Sequence, residues 1–494
     1  MPRSPSLPRL MPSSKRILLP MICTAAAVNS VTMGYDTMMM SSLIAIPQFT
    51  NYFSLTPVTN GLMNASVWMG SIISCIFMQY LADNLGRKMT IYIASSLSFI
   101  GVALQAASTN NIGMFIVARV ILGFCTQLTG AASPLMVAEV APKSIRGFMV
   151  GMYFTCYNVG AIIAAGITYR TADIHGTWAW RLPSLLQCVP SAMSILLLIF
   201  VPESPRWMIS KGFGDYARSV FEVSNSLNVE EADKMVVDIR TKLEEERRDT
   251  KGAWSTLIHA SKPNKKRLVI IVSLAFITEL GGSSVGSYYL TVILQQAGIK
   301  GTSKILQINL ISSCWNLVCA VCGAYSFDHL GRKKQAIGSM VGMIASFAFL
   351  GGFVKKYGNS NNTHGQYATI FFMFLFNAFY NFTITPLNCL YPSELFPMKT
   401  RAAGTTIFKF CDCACGLLAT FILPIAMDNI GWRFYIINAG YDVIFLIVII
   451  VVWVETKGLS LEEIGRTLGE TDSDMPPSDC ESVHNISEVI IFKK

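Results

Sequence analysis

Charged side chains are scarce in this sequence. Only 14% of its 494 residues are Asp, Glu, Lys or Arg, where a soluble domain carries about 25%, and that deficit argues against an ordinary water-facing surface. Disorder is excluded from the other side, because it needs low hydrophobicity and dense charge. Here 52% of residues are hydrophobic and the mean hydropathy is +0.46. No nucleotide-binding loop, nucleophile–base set or metal motif is present, so the chain is not expected to be an enzyme or to carry a cofactor. The 13 cysteines lie mostly within apolar stretches, as Cys314, Cys319 and Cys322 do, without the polar flanks of a secreted disulfide scaffold. Cys411, Cys413 and Cys415 cannot all share one helix face and have no histidine near them, so no metal is expected there. The net charge of +9 has neither a basic stripe nor an aromatic RNA-binding motif with it, so nucleic acid is not an expected partner.

Long apolar runs are present instead. A membrane-spanning helix needs ~20 apolar residues, and twelve stretches qualify, at approximately 17–46, 59–80, 89–108, 112–136, 148–170, 182–201, 267–297, 304–326, 336–354, 366–391, 402–428 and 433–454. The expected fold class is therefore an all-α membrane protein of twelve transmembrane helices. One charged segment interrupts them, which divides the chain into an N-terminal tail (1–16), a six-helix bundle (17–201), a linker (202–266), a second six-helix bundle (267–455) and a C-terminal tail (456–494). Within the linker, residues 229–243 have the i, i+3/i+4 apolar spacing of an amphipathic helix.

Lys and Arg in short loops set the expected orientation. Arg3, Arg9, Lys15 and Arg16 precede helix 1, Arg87 and Lys88 follow helix 2, and Arg332, Lys333 and Lys334 follow helix 8. Both termini are thus expected in the cytosol, with loop 47–58 outside. Residues 1–16 lack the apolar core of a cleaved leader and are expected to be retained. The sequon at Asn361 falls in an outward loop, whereas the one at Asn485 falls in the cytosolic tail.

Three motifs recur in order, each at a helix end. Asp83-Asn-Leu-Gly-Arg87-Lys returns as Asp328-His-Leu-Gly-Arg332-Lys, an offset of 245. Glu139-Val-Ala-Pro-x-x-x-Arg146 returns as Glu394-Leu-Phe-Pro-x-x-x-Arg401 at 255, and Pro202-Glu203 matches Val454-Glu455 loosely at 252. Such self-similarity indicates two homologous, pseudo-symmetric six-helix halves with a cytosolic helical insert between them.

With Gly34-Tyr-Asp36-Thr in helix 1, Ala118-Arg119 in helix 4, Pro202-Glu203-Ser-Pro-Arg206-Trp, Tyr288-Tyr289-Leu and Glu455-Thr-Lys-Gly, these motifs resemble the sugar porter family of the major facilitator superfamily, especially fungal hexose and disaccharide permeases. The resemblance covers roughly residues 17 to 465. It implies alternating access by a single-chain carrier in the plasma membrane, with a small solute, a proton and the lipid bilayer as partners. Physically, the duplicated Asp83, Arg87, Glu139, Arg146, Glu203 and Arg206 and their counterparts Asp328, Arg332, Glu394, Arg401 and Glu455 make sense as a cytosolic latch. Asp83 would cap a helix start and meet Arg87 or Arg146, and breaking such pairs would let the halves part on that side. Against this stands the small worth of single surface pairs, ~0–1 kcal/mol.

Asp36 differs in kind. A carboxylate deep in a membrane helix costs about 2.5–3.5 kcal/mol on insertion scales unless paired or protonated, and Arg119 is its natural partner. In the resembling family such a pair couples proton movement to the solute; the alternative is a static structural ion pair.

The family lines its pocket with amides and an indole, and here the pattern departs. Matched motif by motif, the helix 5 glutamine position holds Phe154, the paired glutamines of helix 7 are Thr278 and Glu279, and the asparagine after them is Ser284. The helix 10 tryptophan position holds Cys389, the helix 11 glutamine position holds Asp412, and Asn316 of helix 8 matches; Tyr288 and Tyr289 complete the expected substrate-binding set. Lys409 and Asp412, three apart on one helix face, either neutralise each other or leave Glu279 or Asp412 to meet a cationic, zwitterionic or amino-bearing solute or to serve as a second proton site. Phe379, Tyr380 and Phe382 would stack on a ring or, more commonly for such residues, pack helices.

The function implied is proton-coupled symport of a sugar or sugar-like solute. Transport of a charged or amino-bearing metabolite, inward or outward, remains open, as does a non-transporting nutrient sensor signalling through its tail.

Overall fold

The computed structural model describes residues 11–469 apart from 13, 143–144, 226, 259–261, 297, 300, 358–361 and 460. The side chains of Arg146, Phe154, Asp328 and Cys389, the sequons at Asn361 and Asn485 and the tail from 470 onward lie outside the described residues. Twenty helices follow one another: α1 (Lys15–Leu43), α2 (Pro47–Tyr52), α3 (Pro57–Leu85), α4 (Arg87–Ala106), α5 (Ile112–Val140), α6 (Arg146–Thr171), α7 (Trp178–Leu186), α8 (Cys188–Phe200), α9 (Pro205–Ser210) and α10 (Gly214–Asn225). Then come α11 (Val229–Ile258), α12 (Lys262–Leu280), α13 (Ser283–Tyr288), α14 (Leu290–Gln296), α15 (Thr302–Leu330), α16 (Arg332–Tyr357), α17 (Thr363–Leu395), α18 (Met398–Ile430), α19 (Arg433–Val452) and α20 (Leu461–Leu468). Twelve spans are long and apolar enough to cross a bilayer, with α7–α8 forming one and α12–α13 another. The protein is an all-α integral membrane protein, and no strand occurs among the described residues.

Local chemistry sets the helix ends. Thr56 and Thr59 form a reciprocal capping box ahead of Pro57 at the first position of α3, and the Asn111 side chain accepts from Gly113 N–H at 2.9 Å to start α5. Small residues then set how closely helices approach: a Cβ at Gly34 would fall on the Tyr157 carbonyl and one at Gly160 on that of Val31, so α1 and α6 lie backbone to backbone.

The sequence suggests one unbroken helix over 267–297, but the structure starts it at Lys262 and breaks it at Gly282. Gly282 sits at φ +95°, a conformation natural to glycine alone, and α13 and α14 continue beyond. Interrupted backbone at membrane depth is tolerated where it lines a cavity or is buried in protein.

Two main bodies of core result. One gathers Ile270, Leu274, Met340, Phe347, Phe376 and Tyr435 of the second half. In the first half, Val220, Phe221 and Val236 of the linker helices α10 and α11 join Ile22, Met136 and Val201. At the end remote from the linker, Phe49 lies 5.3, 5.7 and 5.8 Å from the rings of Phe53, Phe115 and Trp180. The halves are stitched at that same end, where Thr291 Oγ1 donates to the Ser41 carbonyl at 2.9 Å, Asn64 Nδ2 to Tyr289 OH at 3.2 Å and Gln307 Nε2 to Tyr169 OH at 2.9 Å. Deeper in the seam, where α3 runs along α18, Cys75 Sγ and Cys413 Sγ are 3.9 Å apart.

Candidate functional site

At the linker end each half holds one charge cluster, built alike. Arg87 Nε and Nη2 reach the two Glu139 oxygens at 3.1 Å each, and Ser204 Oγ donates to the same carboxylate. Glu203 accepts from the N–H groups of Arg87 at 2.8 Å and Lys88 at 3.0 Å, capping α4. In the other half Arg332 Nη2 meets Glu394 at 2.9 Å, and Thr456 Oγ1 donates to Glu394 at 2.5 Å. Glu455 accepts from Arg332 N–H at 2.7 Å and Lys333 N–H at 3.1 Å, capping α16. The preceding glycines, Gly86 and Gly331, sit at φ +98° and +88° with the capping carboxylate where a Cβ would stand. A carboxylate at a helix N-terminus meets both orphan N–H groups and the positive dipole end. Burial pushes the Glu203 carboxyl above its usual range, and the N–H donors of Lys88, Ser204, Met89 and Arg87 pull against that.

Two expectations change here. Asp83 meets Arg87 at 3.4 Å as expected, half-exposed, but it sits in the last turn of α3 and does not cap α4, which Glu203 caps. The ion pairs described at this end close within one half rather than across the seam. Arg401 turns its Nε to the Phe396 carbonyl at 3.3 Å, and Arg206 lies half-buried in the first turn of α9. Ser204 and Thr456 were not singled out from sequence, although the Glu-Ser/Glu-Thr repeat at offset 252 marks them.

Mid-bundle, Asp36 of α1 and Arg119 of α5 form an ion pair, with 3% and 0% of their surfaces exposed. Gln187, at the junction of α7 and α8, donates to the same Asp36 oxygen at 2.7 Å. Arg119 Nε and Nη2 are buried without a hydrogen-bond partner. This is an under-satisfied buried pair, which in low dielectric is held at a desolvation penalty. Protonating Asp36 would remove the charge that holds Arg119, so the pair can act as a two-position element.

The remaining predicted residues sit on the second half. Thr278 turns its hydroxyl back to the Leu274 carbonyl at 2.9 Å, and its own carbonyl accepts from Tyr380 OH at 3.1 Å. Tyr289 OH donates to the Thr420 carbonyl at 2.8 Å, while Tyr288 is buried in α13. Asp412 pairs with Lys409 at 3.1 Å and keeps Oδ1 unpartnered. Asn316 Oδ1 and Ser284 Oγ are likewise buried without partners. Glu279, 7% exposed, ends the run before the Gly282 break and makes no hydrogen bond or ion pair among the described residues. Phe379 packs its ring against Gly342, and the Phe382 carbonyl against Gly323. Among the described residues no three His, Cys, Asp or Glu side chains converge as metal ligands.

Residues 22–468 match the model of a family described as sugar (and other) transporters. A probable metabolite transport protein, CsbC of Bacillus subtilis, is 29% identical over 91% of this chain and 94% of its own. The low-affinity glucose transporter HXT4 of Saccharomyces cerevisiae is 25% identical over 93% and 82%. In architecture the chain resembles the xylose transporter XylE from E. coli in a partially occluded inward-open conformation, at a TM-score of 0.75 and 23% identity over 90% of this chain and 100% of that one. Duplicated charge clusters, twelve spans in two halves and a family match over nearly the full length coincide: the chain belongs to the sugar (and other) transporter family of the major facilitator superfamily.

Proposed function

We propose that this protein is a secondary active transporter that moves a sugar or sugar-like solute together with a proton, by alternating access. The buried Asp36–Arg119 pair carries this reading, because a carboxylate at that depth without a protonation or coupling role is costly to retain. Relatives named as glucose transporters, and a structural neighbour described as a proton:xylose symporter, support it. With the proton off, Asp36 holds Arg119 and Gln187 and so ties α1, α5 and the α7–α8 junction together. With the proton on, Arg119 is released and the solute biases the halves toward the opposite-facing state.

In this reading the bundles 17–201 and 267–455 rock against each other, joined by the linker 202–266 and flanked by tails 1–16 and 456–494. The Lys and Arg of the short loops support a cytosolic side for both tails and for the clusters around Arg87 and Arg332, the membrane in this reading being the plasma membrane. A single chain suffices for transport. Ser284, Tyr288, Asn316, Asp412 and Glu279 face the solute, with Thr278, Tyr289, Phe154 and Cys389 at the matching family positions. Glu279 favours a second reading, an amino-bearing solute, since a buried carboxyl with no partner of its own among the described residues offers an acceptor to an ammonium's donors.

Uptake of a labelled panel of sugars, polyols and amino-bearing metabolites, in cells without hexose carriers and with or without a proton gradient, tests both. Gradient-dependent accumulation of a neutral sugar is expected. Accumulation of amino-bearing solutes alone selects the second reading, and no gradient-dependent uptake of any member sinks the first.

A further inference from the structure

A cavity of about 390 Å³ opens between α12–α13, α18 and α19, apart from the Asp36–Arg119 pair. Its walls are apolar, formed by Leu280, Val285, Leu423, Phe434 and Phe445. Its mouth lies in the lipid-facing belt, where Leu418 is 57% and Ile422 54% exposed. Glu279 lines it and, although more than nine-tenths buried, has no hydrogen-bond or ionic partner among the described residues. Ser284 Oγ, also lining it, is buried and unpartnered. On the α19 side Asn438 Nδ2 holds Asp442 at 3.0 Å, and the Tyr441 hydroxyl is engaged by the Leu280 carbonyl at 2.7 Å. The polar groups of that wall are therefore already satisfied in part, whereas Glu279 is not.

We propose that this cavity binds a membrane-partitioned amphiphilic amine. Its ammonium would meet Glu279 and its hydrocarbon chain would fill the apolar walls and leave by the mouth between α18 and α19. The volume is within the range of small-molecule sites, roughly 300–1,000 Å³. The mouth faces acyl chains, so the ligand arrives from the bilayer rather than from water. The unpartnered Glu279 carboxyl, with the Ser284 hydroxyl beside it, selects the head group: an ammonium with three donors meets them better than an alcohol with one. Asp412 and Lys409 are the charged groups that also act on Glu279, and they already hold each other at 3.1 Å. Because the cavity abuts the Gly282 break, an occupant would also stiffen the point where the span is interrupted. Glu279 and Ser284 also belong to the solute-facing set proposed above, so the site adjoins the transport path and rests on that placement only for its polar end; its apolar walls and mouth serve it whichever solute is carried.

Direct binding tests it, independently of transport. Full-length protein in phosphatidylcholine nanodiscs is titrated with radiolabelled dodecylamine, empty nanodiscs being subtracted. Saturable binding to one site is expected, displaced by unlabelled dodecylamine but not by dodecanol, which lacks the charge, or butylamine, which lacks the chain. Glu279→Gln should weaken it by about ten-fold or more, the loss of one charge-assisted contact. Ile422→Trp, a change at the mouth where the side chain is 54% exposed, should block it whether or not the Gln variant folds. Equal displacement by dodecanol, or wild-type binding in Ile422→Trp, overturns the proposal, as does the absence of saturable binding.

Discussion

Replacing Asp36 by Asn separates coupling from transport. The asparagine keeps an oxygen for Gln187 Nε2, now 2.7 Å from the carboxylate, but removes the negative charge from a guanidinium with no exposed surface. Breaking a buried pair outright costs about 3–5 kcal/mol, and the retained acceptor should hold the loss to the lower end, so yield must be normalised. The transport effect is larger. One proton driven by 100 mV supplies about 2.3 kcal/mol, and one pH unit adds about 1.4 kcal/mol. Together these sustain an accumulation ratio of roughly 500-fold in the parent protein. With no proton carried, the ratio should fall to about one while solute exchange persists. Proteoliposomes with an imposed potassium diffusion potential and pH step measure both in one preparation. Accumulation above unity in Asp36→Asn would refute proton transfer at this carboxylate. Loss of exchange along with accumulation, in folded protein, would return the pair to a structural role.

Glu203→Gln and Glu455→Gln each remove the charge from a helix cap and should lower unfolding stability by about 0.5–2 kcal/mol, equally in both halves, as read by thermal unfolding in detergent. A loss in one variant only would break the structural equivalence of the two clusters. Copper-phenanthroline oxidation should join Cys75 to Cys413, whose sulfurs stand 3.9 Å apart, and stop transport until a thiol reductant is added; a transporter that is cross-linked by mass spectrometry yet still active would show that α3 and α18 do not part during the cycle. Glu279→Gln should change substrate competition profiles more than it changes folding, and Asp412→Asn should matter less unless Lys409 is altered with it; identical profiles in all variants place both acids outside solute recognition.

The twelve spans were legible because apolar run length is a local property, and most edges moved by a few residues, the stretch at 433–454 being α19, Arg433–Val452, whereas the stretch at 267–297 became a broken span over Lys262–Tyr288. The duplicated motifs were legible for the same reason. What stayed hidden depends on contacts distant in sequence. Gln187 gives no sign in its own stretch that it reaches Asp36, 151 residues away. Glu203 was marked by its repeat, but whether it served its own half or the other depended on where α4 begins relative to the loop carrying it. The Gly281-Gly282 pair was visible, yet its apolar flanks suggest a continuous span, and only the positive φ shows the interruption. Asp442 could have been noticed as a carboxylate within an apolar stretch.

The closed charge clusters bear on the speed of the transport cycle. A machine whose moving seam is held by ionic bonds must break them at each stroke, and its rate would rise with salt as screening lowers that barrier. Here Arg87 with Glu139, and Arg332 with Glu394, travel as cargo within their own half. Among the described residues these ion pairs stiffen each half, and the contacts described between the halves are hydrogen bonds at the far end and side-chain packing along α3 and α18. If that pattern holds through the cycle, the rate of transport should respond to temperature and to the surrounding lipid more than to ionic strength.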